Sequence, residues 1–534
     1  MTSARPRADA VSTWAPLRSP VFRALWIAQF VSNLGTWMQM VGAQWMLVGD
    51  PRAAVLVPLV QTAATLPVML LALPSGVLAD LIDRRRLLIA TQGAMAATVG
   101  ALATLTGAGL TTPTVLLLLL FIIGCGQALT APAWQAIQPD LVPAEQIPAA
   151  AALGSMSMNG ARAIGPAIAG VLVSLAGPTL VFALNAVSFA GIVLVLVMWR
   201  RPTVEQSYPS ERALAALSAG GRFIRSAPIV RRILLRTALF IAPGSALWGL
   251  LPVIADRQLG LSSAGYGLLL GALGVGAVLG AFGLSRLRAR FSQNTLLTVA
   301  AAGFAGATAV LALVPNFGVV LGALVIGGAA WLLCLSTLNA SMQLSLPAWV
   351  RARGLSVYQL IFMGGQALGS LVWGVLAGAT TSVTSLLVSA GLLVVCALSS
   401  LWWPLHARTG DLDLTPSTHW PEPTLLFEPE PLDGPVLVVT SYRVDPQDEA
   451  EFLAVMAVLG RSRQRTGAAR WRLYRSVERE NTFVETFVVR SWGEHLHQHY
   501  VRLTGQDLVI EQAVEKYVDG APVSHHLIAV RNLP

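Results

Sequence analysis

Long apolar runs, separated by short charged or glycine-rich turns, fill the first three quarters of the chain, and the remainder alternates polar and apolar residues. Runs near bilayer length fall at 23–48, 54–78, 87–107, 113–136, 150–177 and 179–199, then at 233–255, 264–285, 294–314, 317–340, 354–378 and 382–403. A crossing helix needs about 20 mostly apolar residues, so the pattern predicts an all-α membrane protein with twelve transmembrane helices. The implied division is a tail over 1–22, a six-helix bundle over 23–200, a loop over 201–232 and a second bundle over 233–403. A linker over 404–434 and a soluble domain over 435–534 complete it.

Charge orients the runs. Arg84 to Arg86, Arg200 with Arg201, the group Arg212 to Arg236, Arg286 to Arg290, Arg351 with Arg353, and Arg408 all fall in turns on one side. The other side carries little beyond Asp50, Arg52, Asp256 and Arg257. Positive loops stay in the cytoplasm, so both termini are expected to be cytoplasmic, in a bacterial cytoplasmic membrane. The composition agrees: only 12% of the 534 residues are charged and the mean hydropathy is +0.64. The net charge of +9 is nearly all arginine, with Lys516 the only lysine, and reports loops rather than nucleic-acid binding. Cys125, Cys334 and Cys396 lie inside apolar runs without metal or redox spacing, so packing is their expected role. No cleavage site follows the N-terminal arginines, and an uncleaved first helix is expected.

The chain repeats itself. A shift of 204 places Gly76 on Gly280, Arg84 on Arg288, Gly124 on Gly328, Gly165 on Gly369 and Gly170 on Gly374. Two six-helix halves in parallel orientation about an axis along the membrane normal resemble the pattern of major facilitator superfamily transporters, which implies a central cavity between the halves.

The turn Gly76-Val77-Leu78-Ala79-Asp80-Leu81-Ile82-Asp83-Arg84-Arg85-Arg86 resembles the signature loop of major facilitator superfamily transporters. That resemblance implies a cytoplasmic gate in which Asp80 tethers a helix of the other half and Arg84 and Arg86 hold the closed state, with Gly76 allowing close approach. Asp83 stands where the family has a second glycine, so the turn must close without it. A positive loop that only sets topology is the alternative. Gly165-Pro166 with Gly170 resembles the antiporter motif of drug exporters in this superfamily, where missing bulk and a missing hydrogen bond let the helix bend.

Arg162 stands several residues inside the fifth run, where a charge costs at least about 2.5–3.5 kcal/mol. It should face a hydrated cavity or a partner; alternatively it pins the helix to a carbonyl or reaches for a membrane face. Ser155, Asn159, Arg162 and Pro166 share a helical face, and the 204 shift brings Gln359, Met363, Gln366 and Ser370 to the matching face of the eleventh run. Gln29, Asn33, Trp37, Met40 and Gln44 form a stripe on the first run; Gln127 and Trp134 on the fourth and Asn339 on the tenth add to the expected cavity lining. For each of these, glue between helices is the competing role. No Asp or Glu lies in the middle of any run, so the proton coupling implied by the superfamily has no obvious residue.

In the tail, residues 436–442, 469–475, 483–490 and 527–530 read as strands, with helices over 448–463, 495–503 and 507–517. The order suggests a ferredoxin-like α+β domain. It resembles the dimeric barrel of the antibiotic-biosynthesis monooxygenase superfamily, which implies a homodimer through this domain. His495, His497 and His499 are expected on a surface or interface rather than on a metal, and no catalytic residue, cofactor or metal is implied.

Residues Phe22 to Trp37 and Asn159 to Gly170 resemble the enterobactin-exporter and secretion-effector branch of the superfamily. The expectation is therefore secondary active export of a small siderophore- or drug-like molecule by alternating access, coupled to the proton gradient, with the lipid bilayer and the solute as partners. An importer or facilitator on the same fold is the alternative, as is a transporter fused to a monooxygenase-like enzyme.

Overall fold

Several apolar runs begin where a polar side chain takes a free amide of the first turn. Ser19 caps α1 (Pro20–Met46) through Phe22 N, Ser292 caps α8 (Gln293–Leu313) through Thr295 N, and Thr381 caps α11 (Ser382–Trp402) through Thr384 N. The computed structural model describes residues 12, 14–137, 141–199, 221, 223–405, 415, 417, 427 and 429–530. Most of the expected tail 1–22, loop 201–232 and linker 404–434 lies partly or wholly outside these. The remaining long helices are α2 (Ala53–Leu81), α3 (Arg84–Gly107), α4 (Pro113–Ile137), α5 (Ile147–Met198), α6 (Pro228–Arg257), α7 (Ser263–Arg290), α9 (Phe317–Leu344) and α10 (Ala348–Ala379). Among the described residues, ten stretches are long and apolar enough to cross a membrane. They leave out α1 and take the 52-residue α5 as a single stretch. Gly177, at φ 74° and ψ 176°, breaks α5 into two arms.

Asp83 explains how the α2–α3 turn closes without the family's glycine. Its φ is −54°, so no left-handed residue is needed, and its Oδ1 accepts from Arg86 N at 2.9 Å, capping α3.

The repeat is present in the packing. A methyl group on Gly124 would lie 2.7 Å from Ala64 O of α2, and one on Gly328 would lie 1.9 Å from Leu273 O of α7. Gly165 meets Trp37 of α1 at 2.8 Å in the same sense, and Gly369 meets Ala242 O of α6 at 2.6 Å. Both glycine pairs are related by the shift of 204, and their contacts fall on corresponding helices.

The chain folds as two compact units. Met1–Ser207, Arg236–Thr337 and Gln359–Pro404 form the first; Tyr208–Leu235, Leu338–Tyr358 and Leu405–Pro534 form the second. In the first unit, Phe22 and Leu25 of α1, Leu87 and Leu88 of α3, Ile137 of α4, and Leu153 and Leu196 of the two α5 arms make one buried cluster. It lies toward the arginine-rich helix ends.

The second unit contains a four-stranded antiparallel sheet in the order β2-β3-β1-β4, with β1 Val436–Arg443, β2 Arg470–Arg475, β3 Thr482–Val489 and β4 Val523–Ile528. Helix α12 (Glu449–Thr466) connects β1 to β2, and α13 (Trp492–His497) with α14 (Gly505–Glu515) connects β3 to β4. Phe452, Met456 and Leu459 of α12 bury against Tyr442 and Phe483 on one sheet face. The last strand starts four residues before its expected position, because Val523 to Ile528 continue the ladder along β1. Within this unit Arg502 also lies over the ring of Trp349, 5.2 Å from its centroid, at the start of α10.

Two histidine expectations are corrected. His495 and His499 are buried and His497 is exposed. The His495 ring packs at a tilt against His526 of β4 and Trp492, with centroids 4.8 and 5.3 Å away, so it belongs to the domain core. Burial, followed by His526 and His499, pulls the His495 imidazole down to about 3. His526 is lowered for the same leading reason.

Candidate substrate site

Helix α5 delivers Arg162 to the middle of the first unit, and two tryptophans enclose it. The guanidinium carbon lies 5.3 Å from the Trp37 ring of α1 and 4.9 Å from the Trp248 ring of α6. The facing quadrupoles of two indoles compensate part of the cation's lost hydration. No carboxylate pairs with Arg162 among the described residues, and Trp248 Nε1 is buried without an acceptor. The site therefore holds a positive charge, two aromatic faces and a spare N–H donor. It can receive a planar or aromatic anion.

The shared face of α5 changes character along its length. Ser155 and Asn159 are exposed, Arg162 is half-buried and Pro166 is buried. The repeat-related face of α10 follows the same course: Gln359 is exposed, Met363 and Gln366 are half-buried, and Ser370 is buried. Both faces are thus exposed toward the arginine-rich ends and buried toward the others.

The seal has named parts. A methyl on Gly170 would lie 2.6 Å from Ser263 O of α7, and one on Gly374 would lie 3.0 Å from Pro58 Cβ of α2. Each pair joins the two repeats, and Ser263 Oγ donates to Gly170 O at 3.2 Å. Gln44, buried, accepts from Tyr266 Oη at 2.6 Å and directs its Nε2 at Trp248 O, 3.5 Å away. Trp248 is the residue that the shift of 204 assigns to Gln44, so the two repeat mates meet. The Gly165-Pro166-Gly170 segment keeps its helical backbone and serves close approach; the break in α5 is at Gly177.

The other sequence candidates separate by role. Gln29 Nε2 donates to Asn33 Oδ1 and Asn33 Nδ2 donates to Ser157 Oγ, both at 3.0 Å, so these amides join α1 to α5. Gln366 Oε1 accepts from Gln61 Nε2 at 2.9 Å, and Thr62 Oγ1 donates to Ala367 O at 2.9 Å, linking α2 to α10. Gln61 escaped sequence reasoning because its partner lies in the other repeat. Gln127 is half-buried, and Trp134 packs on the cluster around Phe22. Asn159 turns onto its own helix, donating to Ser155 O. Asn339 belongs to the second compact unit and accepts from Gln343. An apolar groove of about 450 Å³ between α1 and the α5 arms is lined by Val31, Leu34, Met38, Ile168, Leu172 and Val187 among others. It contains neither Arg162 nor the tryptophans.

At the gate motif, the Gly76 and Asp80 side chains lie outside the described residues. Arg84 is half-buried and Arg86 exposed. Arg85, passed over in the sequence, holds the end of α5 by donating Nε to Leu196 O at 2.8 Å and Nη2 to Val197 O at 3.0 Å. A cation on the last carbonyls of a helix is favourable. Among the described residues no group of three or more His, Cys, Asp or Glu is placed to hold a metal.

The transmembrane secretion effector family profile matches residues 11–533. The chain is 27% identical over 387 residues to the enterobactin exporter of Escherichia coli O1:K1, covering 71% of this chain and 91% of that one. It is 25% identical over 244 residues to the staphyloferrin A transporter of Staphylococcus aureus, covering 46% of this chain and 61% of that relative's length. A bacterial homologue of the human lysosomal transporter Spinster, inward-facing and occupied, superposes with a TM-score of 0.60 at 17% identity, over 72% of this chain and 97% of that one. A D323A mutant of the nucleoside transporter NupG gives 0.57 at 16% identity, over 72% and 99%. These solved structures share the fold. The family match runs through the C-terminal sheet and gives that domain no enzyme identity. With the repeat in the packing and a profile matched along nearly the whole chain, the protein belongs to the transmembrane secretion effector family of major facilitator transporters, a multi-pass membrane transporter of the bacterial inner-membrane type.

Proposed function

We propose that this protein exports a small organic anion with an aromatic or planar group, of siderophore or drug type, by alternating access. The observation that carries this reading is Arg162 held between Trp37 and Trp248, one indole from each repeat. A solute anion would replace ring faces with a full counter-charge, and its ring would stack on the indoles. The relatives named for siderophore transport support the class of solute, and the positive loops support cytoplasmic termini, so that the exposed ends of both faces lie toward the cytoplasm. Counting α1 and both arms of α5 with the other stretches gives twelve crossings. Export would draw on the proton gradient, which has a chemical and an electrical part.

The tail is proposed to be a ferredoxin-like domain that pairs with a second copy. Its helices cover one sheet face, while Leu437, Val439, Val484, Val488 and Leu527 line the other. We assign it no enzymatic role.

Inverted vesicles carrying the protein, offered enterobactin and staphyloferrin A, test the reading together with metabolite profiling of medium from a deletion strain. Uptake into inverted vesicles, and a metabolite missing from the medium, are the expected results. Uptake only into right-side-out vesicles would establish import.

A further inference from the structure

Helix α6 contains two internal prolines, Pro243 and Pro252. Proline has no N–H, so Pro252 leaves the carbonyl four residues back, Trp248 O, without its helical donor. Gln44 of α1 offers one from the other repeat, with its Nε2 3.5 Å from Trp248 O. The Gln44 Oε1 accepts from the buried Tyr266 Oη of α7 at 2.6 Å, and the Tyr266 ring stacks on Trp45 with 5.8 Å between centroids. The chain of contacts is therefore firm at Tyr266 and long at Trp248, and it parts most easily at the carbonyl. Proline also makes this the place where α6 can bend. One residue further along, a methyl on Gly249 would lie 3.2 Å from Pro58 Cβ of α2, the same residue that Gly374 meets in the seal.

Trp248 reaches the solute site as well. Its ring covers Arg162 at 4.9 Å and lies edge to face with Trp331, 5.6 Å between centroids. Its Nε1 is buried without an acceptor, a costly state for a donor. An aromatic anion at Arg162 would compete for the guanidinium and offer that N–H an acceptor, so the ring's best position changes on loading. With Arg162 and Trp331 against it the ring has little room, and the shift passes to its main chain.

Resting on the reading of Arg162 as the anion site, we infer that Gln44 and Tyr266 are positioning residues for the transport step: they latch the bend that Pro252 builds into α6, and solute binding at Trp248 releases the latch and opens the sealed side. The solute thereby favours the open seal, and by linkage the open seal binds the solute more tightly. A weakened latch has a distinctive consequence. It opens the seal without solute and raises affinity, because binding no longer has to break the Gln44 contact.

The test uses the full-length protein in lipid nanodiscs, with Cys125, Cys334 and Cys396 replaced by alanine and Ser263→Cys as a reporter in the seal. The probe is 2-naphthalenesulfonate, an aromatic anion whose charge does not titrate. Maleimide labelling measures opening, and equilibrium dialysis measures binding. The probe should speed labelling of the parent by about 5- to 150-fold, the usual range for coupled sites. Tyr266→Phe and Gln44→Leu should each label fast without the probe and bind it more tightly than the parent, which a merely structural defect would not do. Combined, they should add little to either alone, since both break one latch. Pro252→Ala returns a helical donor to Trp248 O; it should keep binding while its labelling ignores the probe, and in liposomes its kcat should fall with KM nearly unchanged. Binding that leaves the parent's labelling unchanged overturns the latch and leaves the anion site standing. So does labelling or affinity that fails to rise in Tyr266→Phe and Gln44→Leu, and a parent-like response in Pro252→Ala overturns the bend. Binding that survives Arg162→Gln, or that is absent from the parent, overturns the Arg162 site together with the latch.

Discussion

Trp248 takes part in two contacts: its ring covers Arg162, and its carbonyl receives Gln44. Trp248→Phe keeps an aromatic face and should retain most transport, whereas Trp248→Ala should lower kcat/KM about five- to thirtyfold, as loss of about 1–2 kcal/mol of cation–π and stacking energy implies. Equal rates in a vesicle assay of the two variants would remove the ring from the site. Asp83 offers a second residue-scale test. Asp83→Ala should cost about 1 kcal/mol through the lost cap on α3, read as a lower Tm in detergent, and Asp83→Asn should cost little. The sequence marked Arg162, Trp37 and Gln44 because charge and amides stand out in apolar runs. It could not mark Gln61, Arg85 or His526, whose partners Gln366, Leu196 and His495 are assigned only when distant segments meet.

Between elements, small residues set how closely helices approach. Gly170 against Ser263 and Gly374 against Pro58 are two contacts, equivalent under the repeat, that join the halves on the sealed side. Gly170→Val or Gly374→Val should separate that side, and maleimide labelling of a cysteine at Gln44 should rise in either background. Unchanged labelling would show that the seal does not depend on these contacts. The shift of 204 was legible because both copies kept their glycines; the partner of each glycine was not, since packing partners leave no local pattern. The sheet face of the tail follows the same logic. Alternation identified β1 and β3, while β4, an edge strand with exposed Val523 and Leu527, carried too little apolar signal for its start to be read.

For the whole molecule, the two compact units should respond differently to acid. His495 is held neutral by burial, so the folded tail binds fewer protons than the unfolded one between pH 6.5 and about 3. Its stability is complete above pH 6.5 and declines as pH falls through this window, by up to about 1.4 kcal/mol per pH unit from this residue. Hydrogen exchange on the full chain should show residues 436–528 losing protection on acidification, with His495→Leu flattening the profile. Removing residues 435–534 should leave the direction and driving force of transport unchanged in vesicles. A reversal of either would give the tail a part in the transport step.

Gly177 joins the two arms of α5 through one left-handed residue, followed directly by Pro178. Such a joint has no slack. When the arm bearing Arg162 tilts, its continuation must swing with it as the other limb of a lever. Lengthening the joint by a few flexible residues would uncouple the limbs and dissipate the stroke before it reached the Arg85-held end of the second arm.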